Sequence, residues 1–325
     1  MRNENRQGDS FVVTIFALGA ALLYGCADFL GGVATRQARA LAILPASALA
    51  GLAIVLVAAL AAAEPVRGAG LAWGLAAGAV GGVGLIIFYA GLAEGPMTIV
   101  APTSALTATV LPVAVSVAEG ERASPLVYIG ALICLAAIVL VSTTGHPPAT
   151  SHPPATSHPP ATGNPAAASI PAATGDTAAS GTPARGFHFR AVGYGLAAGA
   201  TFGLFFLFLR NAGQSGAFWP IVASRLTGFL IIVFVAAVTR TRPVIASGGP
   251  QLLLATFGSG TLDATANVSY VLATRAGLFG LAVVLTSLYP GVTVVLARFV
   301  LGERLRLLQV TGLLLAAAGV VMVTV

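Results

Sequence analysis

Lysine is missing from this chain, and charge of either sign is scarce: sixteen basic residues, all arginine, and ten acidic ones among 325, or 8% in all. Soluble globular chains carry about 25% charged residues, so that class is excluded. With 57% apolar residues and a mean hydropathy of +0.93, the chain reads as a polytopic membrane protein whose first partner is the lipid bilayer. The net charge of +6 does not imply a nucleic-acid partner, because the arginines are scattered at the ends of apolar runs instead of gathered on one face. Cysteine is nearly absent. Cys26 and Cys134 both fall inside apolar runs and read as packing residues, not as a disulfide or metal site. Histidine is confined to His146, His152, His158 and His188, outside every apolar run. The apolar runs therefore hold no His/Asp/Glu cluster of the kind a metal centre or an intramembrane enzyme needs. A Gly-Lys-Ser/Thr phosphate cradle is also missing, which argues against ATP-driven transport by this chain alone. No cofactor is expected.

What is present is apolar runs of membrane length. About 20 residues cross a hydrocarbon core of about 30 Å at 1.5 Å per residue, and runs of that kind lie near 11–33, 41–63, 70–93, 97–118 and 124–142, then near 190–210, 217–238, 250–273, 278–300 and 306–325. The first is too long for the apolar core of a signal peptide and is read as a retained span. Small residues at every fourth position, as in Gly74, Gly78 and Gly82, let helix backbones approach closely where lipid supplies no hydrophobic drive. Prolines 96, 102, 112 and 290 sit at or inside spans and predict kinks.

The second five runs repeat the first five. Gly120-Glu121-Arg122 recurs as Gly302-Glu303-Arg304, each tip followed by a Gly- and Ala-rich run. Upstream, Ala17, Ala21 and Gly25 match Gly195, Gly199 and Gly203, the ASALAG stretch from Ala46 matches ASRLTG from Ala223, and Tyr89 matches Tyr270. Five is odd, so the second copy enters the membrane from the opposite side. The expected fold is all-α, ten transmembrane helices as a 5+5 inverted repeat, with residues 1–142 and 189–325 as the two repeats. The run SLYP at Ser287–Pro290, then TVVLARFVLGERL, then a Gly-containing closing helix resembles the EamA-like families of the drug/metabolite transporter superfamily. In the first copy Ala108 stands where Pro290 aligns, and Pro112 follows one turn later. The resemblance implies export of metabolites, amino acids or drugs, with import by the same fold as the alternative.

Residues 143–188 differ in kind. HPPATS repeats with a period of six and gives way to a Pro, Ala, Thr, Ser and Gly tract. In polyproline II the histidines would share a face but stand about 19 Å apart at 3.1 Å per residue, too far to chelate one metal. A disordered spacer is the reading.

Ionisable residues inside spans cost about 2.5–3.5 kcal/mol on insertion scales, so each is a functional hypothesis. Asp28, Arg225 and Asp263 qualify. Arg225 and Asp263 lie on successive antiparallel spans at depths that agree to roughly 3 Å, which predicts an ion pair, whereas Asp28 is expected near the opposite surface. The first-copy counterparts of the pair are Ala48 and Gly82, so internal symmetry does not require it. Asn267 one turn beyond Asp263, Ser224 beside Arg225 and Tyr270 three residues past Asn267 complete the expected substrate-binding set. The pair either locks two helices or meets a polar solute or a proton. A channel would need a ring of pore-lining charges or a repeated carbonyl filter, and nothing here resembles one. The chain is therefore read as a secondary transporter of small polar or amphipathic solutes, with proton coupling open. Basic residues number six on the terminus side against nine opposite, which taken alone places the termini outside; the family resemblance implies cytoplasmic termini and an external linker.

Overall fold

A computed structural model of the chain describes residues 2–94, 97–121, 125–142, 185–243, 249–302 and 307–324. Among them run eleven helices: α1 (Arg2–Thr35), α2 (Ala40–Ala61), α3 (Gly68–Glu94), α4 (Met97–Ala118), α5 (Pro125–Ser142), α6 (Arg185–Gly213), α7 (Trp219–Val238), α8 (Pro250–Ala276), α9 (Phe279–Thr286), α10 (Tyr289–Val300) and α11 (Leu307–Thr324). The described residues hold no strand. The tract 143–184 with its three histidines, and Arg122, Glu303 and Arg304 of the charged tips, lie outside the described residues. Helix α6 begins at Arg185, inside the stretch read as spacer.

Among the described residues six segments are long and apolar enough to cross a membrane, namely those within α1, α2, α3, α6 and α7 and the run Phe279–Val300. Shorter apolar helices cover Thr103–Ala118, Pro125–Val141 and Leu307–Met322. Helix α8 is long enough but too polar to join the six, because Ser259, Thr261, Asp263, Thr265, Asn267 and Ser269 crowd its middle. Surrounding helices cover it: Gly260, Ala264, Ala266, Asn267, Tyr270 and Val271 are all buried.

Packing runs between the two halves more than within them. Helix α1 lies along α8 and α3 along α6; α2 meets α8 and α3 meets α7; α6 takes α4 as α1 takes α9 and α10; and α5 packs on α11. Both long pairs are antiparallel, since Ser269 reaches the Phe16 carbonyl and Ser259 the Ala27 carbonyl on α1, while on α3 Gly91 faces Tyr194 and Gly84 faces Thr201 of α6. Glycine makes these approaches possible where backbones touch. A Cβ at Gly78 would run into the Ser224 carbonyl of α7, and one at Gly260 into the Ser47 carbonyl of α2. These two contacts are counterparts, and they align Asp263 with Gly81 instead of Gly82. Either way the counterpart is a glycine.

Similar turns recur at similar sequence positions in the two halves. Gly120 and Gly302, which open the two charged tips, both take the left-handed conformation, with φ of 84° and 69°. After α4 this makes a Schellman stop, in which the Glu121 amide bonds the Ser116 carbonyl at 3.1 Å and the Gly120 amide bonds Val117 at 3.0 Å. Ala63 after α2 and Arg240 after α7 are also left-handed, at 49° and 52°, in the register that pairs Ser47 with Ser224.

One expected kink interrupts a helix with a two-residue turn whose backbone stays in the right-handed helical region. The α9–α10 run stops at Ser287 and Leu288 and restarts with Pro290 in the first turn of α10. Pro290 has no amide hydrogen to continue the ladder. The side chains nearby bind backbone: Ser287 donates to the Val283 carbonyl at 2.8 Å, and Thr293 reaches across to the Gly25 carbonyl of α1 at 3.1 Å. Helix α4, by contrast, stays continuous through Pro102 and Pro112.

Candidate functional site

The site is built where the polar middle of α8 meets α7 and α1. Asp263 stands at the midpoint of α8, and Arg225, six residues into α7, donates from Nη1 to its Oδ2. The Arg225 side chain is 16% exposed and that of Asp263 is 39% exposed, so the carboxylate side of the pair stays open to whatever fills the space beside it. One turn on, the Asn267 amide donates to the Asp263 carbonyl at 2.8 Å, and its Oδ1 accepts the hydroxyl of Tyr24 on α1 at 2.8 Å. Asn267 is 2% exposed and both ends of its amide are used. Burial without those bonds would carry a desolvation penalty of about 1–3 kcal/mol.

An aromatic group closes over this polar line. The Tyr24 ring lies 6.0 Å from Tyr289 at the start of α10 and 6.4 Å from Phe206 on α6, and Phe206 lies 4.9 Å from Tyr270. Tyr270 is wholly buried in the core with its hydroxyl on the Phe206 carbonyl at 3.2 Å. Ser224 is buried too, on the side of α7 that meets Gly78. Of the five residues expected in the set, Arg225, Asp263 and Asn267 form one connected polar line, Tyr270 supports the aromatic group from behind, and Ser224 faces α3.

Two members were not expected here. Tyr24 read in the sequence as one aromatic among several at various depths, yet it lies near the midpoint of the α1 span and ties α1 to Asn267. Asp28 is not at the far surface. It sits one turn beyond Tyr24 on the same helix face, and the α1–α8 register places it about 8 Å along the axis from Asp263 at 1.5 Å per residue. It is within electrostatic reach of Asp263 and of Tyr289, and its side chain is exposed. The sequence signal for both was the four-residue spacing of Tyr24 and Asp28, which puts them on one stripe.

On the terminus side, acids of the first half grip helix ends of the second. The Glu64 carboxylate accepts the Ala217 and Phe218 amides at 3.1 Å, and the Trp219 indole donates to the Glu64 carbonyl at 2.9 Å. Glu121 accepts the Gly280 amide at 3.0 Å, at the first turn of α9. Glu119 pairs with Arg210 at 2.6 Å, and the Arg210 guanidinium lies 4.2 Å from the centre of the Phe279 ring. Acid at a helix N-terminus complements its unpaired amides and its dipole. A cavity of about 130 Å³ lined by Glu64, Arg67, Gln214 and Arg275 opens at this same side, away from Asp263.

Comparison with known proteins bears on this arrangement. Residues 189–325 match the model of the EamA-like transporter family. A solved crystal structure superposes on the chain with a TM-score of 0.68 at 17% identity, over 95% of this chain and 95% of that one, a likeness of fold alone. No curated protein matches the chain. Residues 189–325 thus resemble an EamA-like transporter domain, and the chain carries several helices long and apolar enough to cross a membrane, as a multi-pass membrane protein does.

Proposed function

We propose that the chain is a secondary transporter of small polar or amphipathic solutes, an exporter, built from ten membrane spans as a 5+5 inverted repeat whose halves rock about the Arg225–Asp263 line. The observation that carries this reading is an ion pair at mid-helix depth, half open on its carboxylate side, beside an interrupted helix and at the meeting of both halves. Polar groups and interrupted helices at membrane depth are tolerated where they are buried in protein or line a wet cavity, and sites at the junction of inverted halves are where transporters bind. The partner exchange between halves supports the repeat: α1 with α8 answers α3 with α6. In this reading residues 1–142 and 189–325 are the repeats, and Arg225, Asp263 and Asn267 contact solute while Tyr270 and Ser224 hold them in place.

The terminus-side grips of Glu64, Glu119 and Glu121 close that face, and their release exposes the site there. The test begins with a metabolite comparison of cells lacking and overexpressing the protein, followed by flux in proteoliposomes for each solute that changes. Saturable flux that disappears in the Arg225→Ala/Asp263→Asn double variant is expected. Flux of every candidate unchanged by that variant overturns the assignment of the site.

A further inference from the structure

We infer that the terminus-side cavity between the α2–α3 turn, the α6–α7 turn and the end of α8 binds a phosphate group, clamped by Arg67 and Arg275. Its source is the headgroup of an anionic phospholipid or free phosphate. The site is separate from the Arg225–Asp263 line, and the inference does not depend on which solute the chain carries.

Charges on this face are unevenly matched. Glu119 pairs with Arg210, Glu121 accepts the Gly280 amide, and the Glu64 carboxylate accepts the Ala217 and Phe218 amides. Arg67 and Arg275 line one cavity of about 130 Å³, and neither has an acidic partner among the described residues. Glu64 lines it too, but its charge is directed at the amino end of α7, where amides and the helix dipole offset it. Arg275 lies in the last turn of α8, whose dipole offers only about half a negative charge. Two guanidinium groups at one small space repel each other, and an anion between them removes that repulsion. Arginines that merely flank a span reach the headgroup region singly. These two come from different halves of the chain and converge.

Donors and walls both suit phosphate. Each guanidinium presents a planar fork that matches two phosphate oxygens. The Gln214 amide and the Ser215 hydroxyl line the same space and have no side-chain hydrogen bond among the described residues, so they add donors. A carboxylate has oxygens for one fork; a phosphate has oxygens for both. The cavity has room for about four waters, the bulk of one tetrahedral oxyanion. Its walls are held in place, since the Trp219 indole donates to the Glu64 carbonyl at 2.9 Å and a Cβ at Gly70 would stand 2.7 Å from the Ser215 Cβ. Because those walls belong to both halves, a bound phosphate ties the halves together at this face.

Thermal unfolding of the purified full-length protein in detergent tests the site. Inorganic phosphate is titrated against sodium chloride at equal ionic strength, and phosphatidylglycerol against phosphatidylcholine in mixed micelles. A saturable rise of the midpoint with inorganic phosphate supports the site with free phosphate as its source; a rise with phosphatidylglycerol alone supports it with the lipid headgroup as its source. In either case Arg67→Gln/Arg275→Gln should weaken the apparent affinity by about tenfold or more. Both arginines are exposed, so this variant should fold as the parent does. Arg242→Gln/Arg298→Gln, which removes the same charge from the opposite surface, should respond like the parent. No saturable response to either probe overturns the inference. A response that Arg67→Gln/Arg275→Gln leaves intact, or that Arg242→Gln/Arg298→Gln weakens equally, overturns it as well.

Discussion

Arg225 and Asp263 pose the residue-scale question of whether charge at this depth serves packing or solute. Removing one partner strands the other in a low-dielectric place, while removing both spares that penalty. Asp263→Asn and Arg225→Ala should each lower stability by about 1–3 kcal/mol, less than a fully buried pair because Asp263 keeps 39% of its surface. The double variant should recover expression and thermal stability without recovering flux. Recovery of both readouts would reduce the pair to a helix lock, and additive losses would mean the two side chains do not act together. The contact was legible in the sequence because depth on antiparallel spans is arithmetic on residue number. Tyr24 and Asp28 were not, since which of five first-half helices lies against α8 is decided by tertiary packing, and Gly25 against Val292 and the Tyr289 carbonyl is the kind of contact that sets it.

Individual elements show what small residues and proline do. Gly260 is needed where α8 crosses α2, so Gly260→Ala should destabilise by about 1–3 kcal/mol through overpacking against the Ser47 backbone. Gly193→Ala, on α6 with open space around it, should be neutral or slightly stabilising. Thermal unfolding of the two variants in detergent checks this, and equal effects would contradict the packing given for α8. Pro290 marks the second element. Pro290→Ala restores an amide donor and removes one obstacle to a continuous α9–α10 rod, so flux should fall while membrane levels hold; unchanged flux would make the interruption a packing feature only. Sequence reading found the kink through the proline. It did not distinguish an interruption at Pro290 from the continuous α4 with Pro102 and Pro112, because proline tolerance depends on which neighbours take up the freed backbone groups.

For the whole molecule, the all-helical membrane character was readable because hydrocarbon thickness sets the length of an apolar run. The Gly of each tip has a conformational reason, as Gly120 and Gly302 share a left-handed turn. The terminus-side grips were hidden, since nothing near Glu64 in sequence announces the Ala217 and Phe218 amides it accepts. Deleting the tract from His146 to Pro183 should leave membrane levels and flux near those of the parent; lost flux at normal levels would assign it a specific role. The central claim is that one site faces each side of the membrane in turn. Counterflow in proteoliposomes tests it most directly: vesicles loaded with unlabelled solute should transiently concentrate labelled solute from outside, and the Arg225→Ala/Asp263→Asn variant should not. Labelled solute that merely equilibrates, at a rate indifferent to the internal load and proportional to concentration, would mean a pore and contradict the account.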